Sequence, residues 1–437
     1  MPSIRTLART LGVSRGTVAA AYDQLVAEGY LISAPRSGMR VNPELPLVVP
    51  TRHDDSRAVK PLRPEPDAVV VDLVPGHDRS SPPDDPAWRA AWRRAADPGR
   101  GQQRPDPLGA AQLRSAIAEH LRLMRGILVD PDNVVVTAGS REGLALLLTA
   151  LPVSRGSELQ VGVEDPGFPG LRRTLARRGV TTVPLPVDDS GLVVPRAPGT
   201  PAPDLVLVTP NHQFPYGSVM PARRRTELLH WAAETGTLVV EDDYDSEHRY
   251  LGPPPPALHG LVPSAPVVHL GTFSGVLSTD VGTGYLLLPT DLVARVGAVR
   301  ADLGCPVAPV LQRAIAGYLA DGGLRRRLQR SRRRLVAAHE VVTHALPQLP
   351  GAVDLGRLLV LELPEDEAHT VLAECARRGV LLGDLADGWS RRPRRRGVVL
   401  NSDAVDPATL ARALEVLAGS LVRMAGGPVS AGELGGG

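Results

Sequence analysis

The chain has 437 residues, more than one compact domain needs and suited to a small module joined to a large one. Hydrophobic residues make up 43% and aromatics only 3%, so a sizeable core built mainly of Leu, Val and Ala is expected. The formal net charge of +2 excludes nucleic-acid binding driven by overall charge, so any such role must rest on a local patch.

In chain order, residues 3–11 place Ile4, Leu7, Ala8 and Leu11 at the i, i+3, i+4, i+7 spacing of an amphipathic helix. Gly12 ends it with a tight turn, and Ser14 N-caps a second helix predicted to run to about Glu28. That helix turns Val18, Tyr22 and Leu25 to one face, and Gly29 follows as its stop. Tyr30 to Ser33 and Met39 to Val41 predict two short strands around a turn at 34–38. Helix, turn, helix and hairpin make a winged helix-turn-helix.

The polar positions fit that fold. Ser14, Arg15 and Thr17 open the second helix, where a recognition helix meets base edges in the major groove. Ser3 and Arg5 open the first helix, at a place suited to backbone phosphates. Arg36, Gly38 and Arg40 belong to the wing. Residues 1–41 carry five arginines against Asp23 and Glu28, a local +3. The stretch PSIRTLARTLGVSRGTVAAAYDQLVAEGYLISAPRSGMRV resembles the DNA-binding domain of GntR-type regulators over its whole length, which implies double-stranded DNA as partner. Such domains usually carry another helix ahead of the PSxR segment, whereas Met1 stands where that segment begins. A start codon placed too late is the favoured explanation; a module lacking a supporting helix is the other.

Residues 42–67 are rich in Pro, mixed in charge and without periodicity, as expected of a semi-rigid linker. Lys60, the single lysine beside 48 arginines, falls within it. The preference for Arg follows an Ala-, Gly- and Pro-rich composition, but its chemical consequence is independent of origin: Arg stays protonated and forms no imine. The two cysteines, Cys305 and Cys375, offer neither metal-ligand spacing nor a disulfide framework, so buried thiols in a reducing compartment are expected. No apolar signal core and no run near about 18 apolar residues occurs, so the expectation is a cytoplasmic chain with no membrane partner and no metal.

From residue 68 onward, apolar runs alternate with helical stretches. Strands are predicted at 133–137, 158–163, 204–209, 237–241, 267–271 and 284–288. The rhythm implies an α/β domain with a mostly parallel, buried sheet over residues 68–330, a smaller α+β part over 335–420 and a flexible tail at 426–437.

The loops after these strands carry the chemistry. Thr137-Ala-Gly-Ser-Arg-Glu-Gly143 follows a strand and opens a helix, where backbone amides can hold a phosphate. The segments at 164–170, 209–217, 241–250 and 270–274 follow the next strands and bring Phe168, acids, a phenol and hydroxyls to strand ends. These five ordered motifs resemble the aminotransferase-like domain of the MocR subgroup of GntR-type regulators, over about residues 68–420. The resemblance implies a fold-type I, pyridoxal-phosphate (PLP) transferase-like architecture and a homodimer. It assigns Asp242 to the pyridine nitrogen, Tyr244 to the ring hydroxyl, Phe168 to ring stacking, Gly139, Ser140 and Arg141 to the phosphate, and Ser274 to the same site.

Three positions depart from the family. Its lysine, which bonds covalently to the cofactor, follows the GTFS motif; here Gly275 stands there. A phosphate-binding arginine is replaced by Gly282, and a tyrosine that serves the partner subunit's site by Arg104. Without that lysine the covalent anchor and the proton shuttle for transamination are both lost. Near the C-terminus, the run Arg391 to Arg396 reads as a solvated loop or as an extra phosphate contact on bound DNA, with Arg396 the nearest candidate for a substrate carboxylate and Val398 the other position in register. His269, inside a strand, reads as a core residue, and His248 lies near the motifs. The sequence therefore predicts a DNA-binding regulator whose large domain dimerises, sensing an unknown small molecule or PLP held non-covalently, or no cofactor at all. The alternative is a PLP enzyme working with a non-covalently held cofactor, and a third is a relic that binds neither.

Overall fold

Ser3 and Ser14 start the two N-terminal helices by accepting hydrogen bonds from the amides of Thr6 (3.2 Å) and Thr17 (3.1 Å). The computed structural model describes residues 1–34, 38–43, 70–76, 83–97, 106–151, 158–196, 201–248 and 255–425. The chain divides into two units, residues 1–66 and 67–437. The 42–67 segment from residue 44 on, Arg36, Lys60, Arg104 and the 426–437 tail lie outside the described residues.

In the first unit, α1 (Ile4–Leu11) stops at Gly12, whose φ of +66° is the left-handed conformation that a residue with a Cβ adopts only at a cost. α2 (Arg15–Ala27) leads into β1 (Leu31–Ala34) and β2 (Gly38–Val41), an antiparallel pair with Leu31 opposite Val41. Ala8, Val18, Tyr22 and Leu31 form the small core, with Ile4, Leu7, Leu25 and Met39 packed against it. The predicted helix-turn-helix and wing are all present.

The second unit runs β3 (Val71–Asp72), α3 (Pro86–Ala95), α4 (Ala111–Arg125), β4 (Val134–Thr137), α5 (Ser140–Ala150), β5 (Gln160–Asp165), α6 (Pro169–Arg177), β6 (Thr181–Asp188), β7 (Gly191–Leu192), β8 (Leu205–Val208), α7 (Ala222–Thr235), β9 (Leu238–Asp243), β10 (Val267–Thr272), β11 (Gly284–Leu287) and α8 (Thr290–Leu303). Then follow α9 (Pro309–Ala320), α10 (Gly323–Ala345), β12 (Ala352–Asp354), β13 (Leu358–Glu362), α11 (Glu365–Arg377), β14 (Val380–Leu381), β15 (Gly383–Asp384), β16 (Gly397–Asn401) and α12 (Pro407–Ala425).

An eight-stranded sheet in the order β4-β11-β10-β9-β8-β5-β6-β7 forms the centre. Neighbouring strands from β10 to β6 are parallel, while β11 and β7 pair antiparallel with their neighbours. The strand period of two decides which layer each side chain joins. Val134 and Val136 enter the cluster with α3, α4 and α9, whereas Val135 enters the one with α5, α6 and α8. Both sheet faces are therefore covered, which is why the strands read as continuous apolar runs. A smaller sheet, β12-β13-β16-β15, carries a separate core shared with α11, α12 and the end of α10. β3 pairs in parallel with β14, tying the start of the unit to this smaller part.

Three expectations need correction. β6 was not predicted, because Pro184 and Pro186 break its pattern. α10 crosses the expected boundary near residue 330 as one continuous helix. Cys375 is buried and free, but Cys305, also free, is only partly buried. Among the described residues no helix is long and apolar enough to cross a membrane, and no acidic, His or Cys group could hold a metal ion.

Candidate functional site

The C-terminal ends of β4, β5, β9 and β10 converge on a cavity of about 300 Å³. Ligands of open α/β sheets favour this edge, because helix N-termini and loop side chains meet there. The smaller sheet closes the cavity with Arg357, Leu358 and Asn401, the last two being register partners across β13 and β16. Every residue that the resemblance assigned to a cofactor lines it: Gly139, Ser140, Arg141, Phe168, Asp242, Tyr244 and Ser274.

The wall is built in recognisable pieces. Gly139, with φ +83°, turns the chain from β4 into α5 so that Ser140 and Arg141, in the first turn of the helix, line the cavity. A Cβ on Gly284 would come within 3.0 Å of the Gly139 Cα, so a small residue there lets this turn seat against β11. Phe168 stands at the start of α6, edge-on to Phe214 with ring centroids 5.5 Å apart. Tyr244 Oη donates to the His212 carbonyl oxygen at 2.8 Å, and His212 Nδ1 lies 2.5 Å from Asp245. Gly275 and Gly282 also line the cavity. Residues 67–437, which form this wall, contain no lysine; the chain's one lysine is Lys60.

Electrostatics concentrates at Asp242. Burial pushes its carboxyl up to about 8, and the neighbouring Asp243 and Glu164 add to the effect. Glu164 is itself raised to about 7 by burial, against the bonds it accepts from the Thr209 amide and hydroxyl. Burial, followed by the charge of Asp245, holds the Tyr244 phenol well above its ordinary range. Asp242 thus keeps its proton near neutrality and ionises readily once a cation arrives beside it. Behind it, Arg125 Nη2 lies 3.1 Å from Asp243, and Asn211 Nδ2 donates to Asp243 at 2.8 Å. Arg225 in turn donates to Asn211 Oδ1 and to the carbonyls of Pro210, Met220 and Pro256. This buried frame fixes the end of β9.

Residues 75–359 match the family of aminotransferase class I and II, and residues 1–41 match the bacterial regulatory proteins of the gntR family. The chain is 41% identical to the HTH-type pyridoxine biosynthesis transcriptional regulator PdxR of Corynebacterium glutamicum, covering 94% of this chain and 88% of that protein. It is 32% identical to the probable rhizopine catabolism regulatory protein MocR of Rhizobium meliloti, covering 95% and 88%. This chain belongs to the GntR-type regulators that carry an aminotransferase-like domain. In fold, a kynurenine aminotransferase of Pyrococcus horikoshii superposes with a TM-score of 0.71 at 21% identity, over 82% of this chain and 92% of that one. The architecture of the second unit is therefore the fold-type I aminotransferase fold.

In the GntR-type module, Ser3, Arg5, Ser14, Arg15, Thr17, Gly38 and Arg40 are all solvent-exposed. Ser3 and Ser14 are partly committed: each hydroxyl caps its helix and bonds a threonine hydroxyl at 2.8 Å, Thr6 and Thr17 respectively. In the regulator's large domain, Arg396 lies outside the cavity, paired with Glu365 at 2.9 Å, and Val398 is buried in β16. The arginine run is a solvent-facing loop held in part by Glu362 and Glu365. Arg357 supplies the cavity's second guanidinium, held by Asp403 at 2.9 and 3.0 Å. Neither it nor Asn401 and Asp245 was predicted as a site residue. His269 is a core residue as expected, but a paired one, 3.0 Å from Glu241.

Proposed function

We propose that this regulator binds double-stranded DNA as a homodimer through its N-terminal module, and that the aminotransferase-like domain senses a vitamin B6 phosphate held without a covalent bond, with no transaminase activity. The observation that carries this reading is the cavity wall, which keeps the pieces a phosphorylated pyridine needs while containing no lysine. The amides at Gly139 to Arg141 suit a phosphate, Asp242 suits a pyridine nitrogen, Tyr244 suits a ring hydroxyl and Phe168 suits stacking. When bound, pyridoxal phosphate supplies an electron sink. The chain's residues would bind and orient it, but they provide no amine to hold its aldehyde or to carry a proton between carbons. The relation to the pyridoxine biosynthesis regulator PdxR supports the choice of a B6 phosphate, and the exposed residues at the start of α2 support base contact.

Selection of DNA by the purified full-length protein from a random pool tests the first half, with enrichment of a two-half-site sequence expected. Loading with pyridoxal phosphate, borohydride treatment and dialysis tests the second, with cofactor lost on dialysis and no reduced adduct on residues 67–437. A pool that stays random, or an adduct in that range, overturns the corresponding half.

A further inference from the structure

We propose that the ligand of this cavity is the amine form of the B6 phosphates, a phosphorylated pyridine already bearing its own aminomethyl group, in preference to the aldehyde. The inference rests on the B6-phosphate reading above and concerns which member of the class the wall recognises. An aldehyde is retained by amines, and residues 67–437, which form this wall, contain no lysine, while the Met1 amine bonds the Met39 carbonyl at 3.1 Å. A free aldehyde carries no hydrogen-bond donor, whereas an ammonium brings three.

The wall favours donors. Beyond Asp242, which the ring nitrogen would take, a second carboxylate, Asp245, lines the same cavity as Tyr244, with His212 Nδ1 2.5 Å from one of its two oxygens. The Tyr244 hydroxyl spends its proton on the His212 carbonyl at 2.8 Å, so toward a ligand its oxygen accepts. The Asp245 carboxylate and the Tyr244 oxygen offer acceptors that attract a cationic arm and gain little from a carbonyl oxygen, whereas Ser274 Oγ already accepts from the Thr272 hydroxyl at 3.0 Å. Gly275 gives the arm room, since no side chain projects from the residue after Ser274. Two wall carboxylates and two guanidiniums, Arg141 and Arg357, suit a ligand with a phosphate at one end and cationic nitrogens at the other.

Isothermal titration of the full-length protein in amine-free buffer with pyridoxamine phosphate, pyridoxal phosphate and inorganic phosphate decides the matter. Pyridoxamine phosphate is expected to bind about tenfold or more tightly than the aldehyde, a difference of about 1.4 kcal/mol. Asp245→Asn is expected to remove most of that preference. Gly275→Lys is expected to reverse it: the new amine condenses with the aldehyde, the nitrogen forming C=N and the aldehyde oxygen leaving as water, with a visible absorption band. Gly275 has no left-handed φ, so the substitution brings no backbone strain of that kind. Equal or tighter binding of the aldehyde by the unsubstituted protein overturns the inference and leaves the B6-phosphate reading standing. A folded Gly275→Lys protein that forms no imine also overturns it, because the arm then does not lie beside that residue. Binding of neither ring compound better than inorganic phosphate overturns the B6-phosphate reading itself.

Discussion

His269 Nδ1 lies 3.0 Å from a carboxylate oxygen of Glu241, and the two fully buried residues are register partners across β10 and β9. Burial opposes charge on both. The mutual hydrogen bond and attraction outweigh it, so His269 is raised above its ordinary value and Glu241 lowered below its own. The pair sits one residue from Asp242, so it holds the strand end that presents the cavity's central acid. Breaking a buried pair by removing one member costs more than removing both, because the survivor keeps its charge without the counter-charge. His269→Leu is expected to destabilise the protein by about 3–5 kcal/mol in denaturant unfolding at neutral pH, and Glu241→Gln/His269→Leu, which keeps an acceptor for the Leu258 and His259 amides, to recover most of it. A double variant as unstable as the single one would show that packing, not charge, is lost.

The same pair defines a pH window. Because Glu241 is lowered, its contribution is present above the ordinary carboxylate range and disappears as acid titrates it through its folded value. Because His269 is raised, its contribution is full below its ordinary value of about 6.5 and disappears as base titrates it through its folded value. Stability against pH is therefore expected to fall on both sides of neutrality, and the Glu241→Gln/His269→Leu protein to lose both of these components. A double variant with the unaltered pH profile would refute the assignment.

Asp242 has the opposite balance: its carboxyl is raised from an ordinary 3.8 to about 8, chiefly by burial. Its folded-state proton therefore stabilises fully at low pH, and that stabilisation is lost as pH climbs from the ordinary value through the folded one. Asp242→Asn is neutral throughout. It is expected to melt at higher temperature than the unsubstituted ligand-free protein, with the gap widening between about pH 4 and pH 8. It is also expected to weaken binding of a B6 phosphate by tenfold or more, since the charge opposite the ring nitrogen is gone. A variant that is both less stable and equally good at binding would remove Asp242 from the site.

Much of this was legible in the sequence because a buried parallel strand writes itself as an apolar run. Val134–Thr137, Leu205–Val208 and Leu238–Asp243 were found that way, and the loops after them carry the cavity residues. β6 was hidden because prolines interrupt it and only Leu185 on it is fully buried. Arg357 and Asn401 could not be read locally. They reach the cavity only through the pairing of β13 with β16, which spans some forty residues of chain, whereas Arg396, nearer by sequence register, turns to Glu365. The charge state of His269 depends on Glu241, which lies on another strand and leaves no mark in the local pattern around His269.

Arg15 and Arg40 are exposed on α2 and β2, and their roles on DNA are expected to differ. Arg15, at the start of α2, would face base edges in the proposed helix-turn-helix mode, so Arg15→Ala should cost about 1–3 kcal/mol on a selected site and relax specificity. Arg40, on the wing, fits a phosphate contact. Arg40→Ala should weaken binding about equally on all sequences and lower the salt slope by about 1. Fluorescence anisotropy on selected and scrambled duplexes over a salt series separates the two, and identical effects on both duplexes for Arg15→Ala would contradict the base-contact role.

Ser14 caps α2 and, on the proposed reading, approaches DNA; two substitutions separate the two roles. Its oxygen accepts from the Thr17 amide at 3.1 Å, a cap whose loss to Ala costs about 1 kcal/mol. Ser14→Ala is expected to speed hydrogen exchange of the α2 amides in the full-length protein and to weaken DNA binding through loss of the helix start. Ser14→Asp keeps a capping oxygen and suits the helix dipole, so exchange should stay slow, yet it sets a negative charge against the phosphates. DNA affinity should then fall while the helix remains protected, and it should fall more at low salt than at high salt. Unchanged DNA affinity for Ser14→Asp would mean that this end of α2 does not approach the duplex.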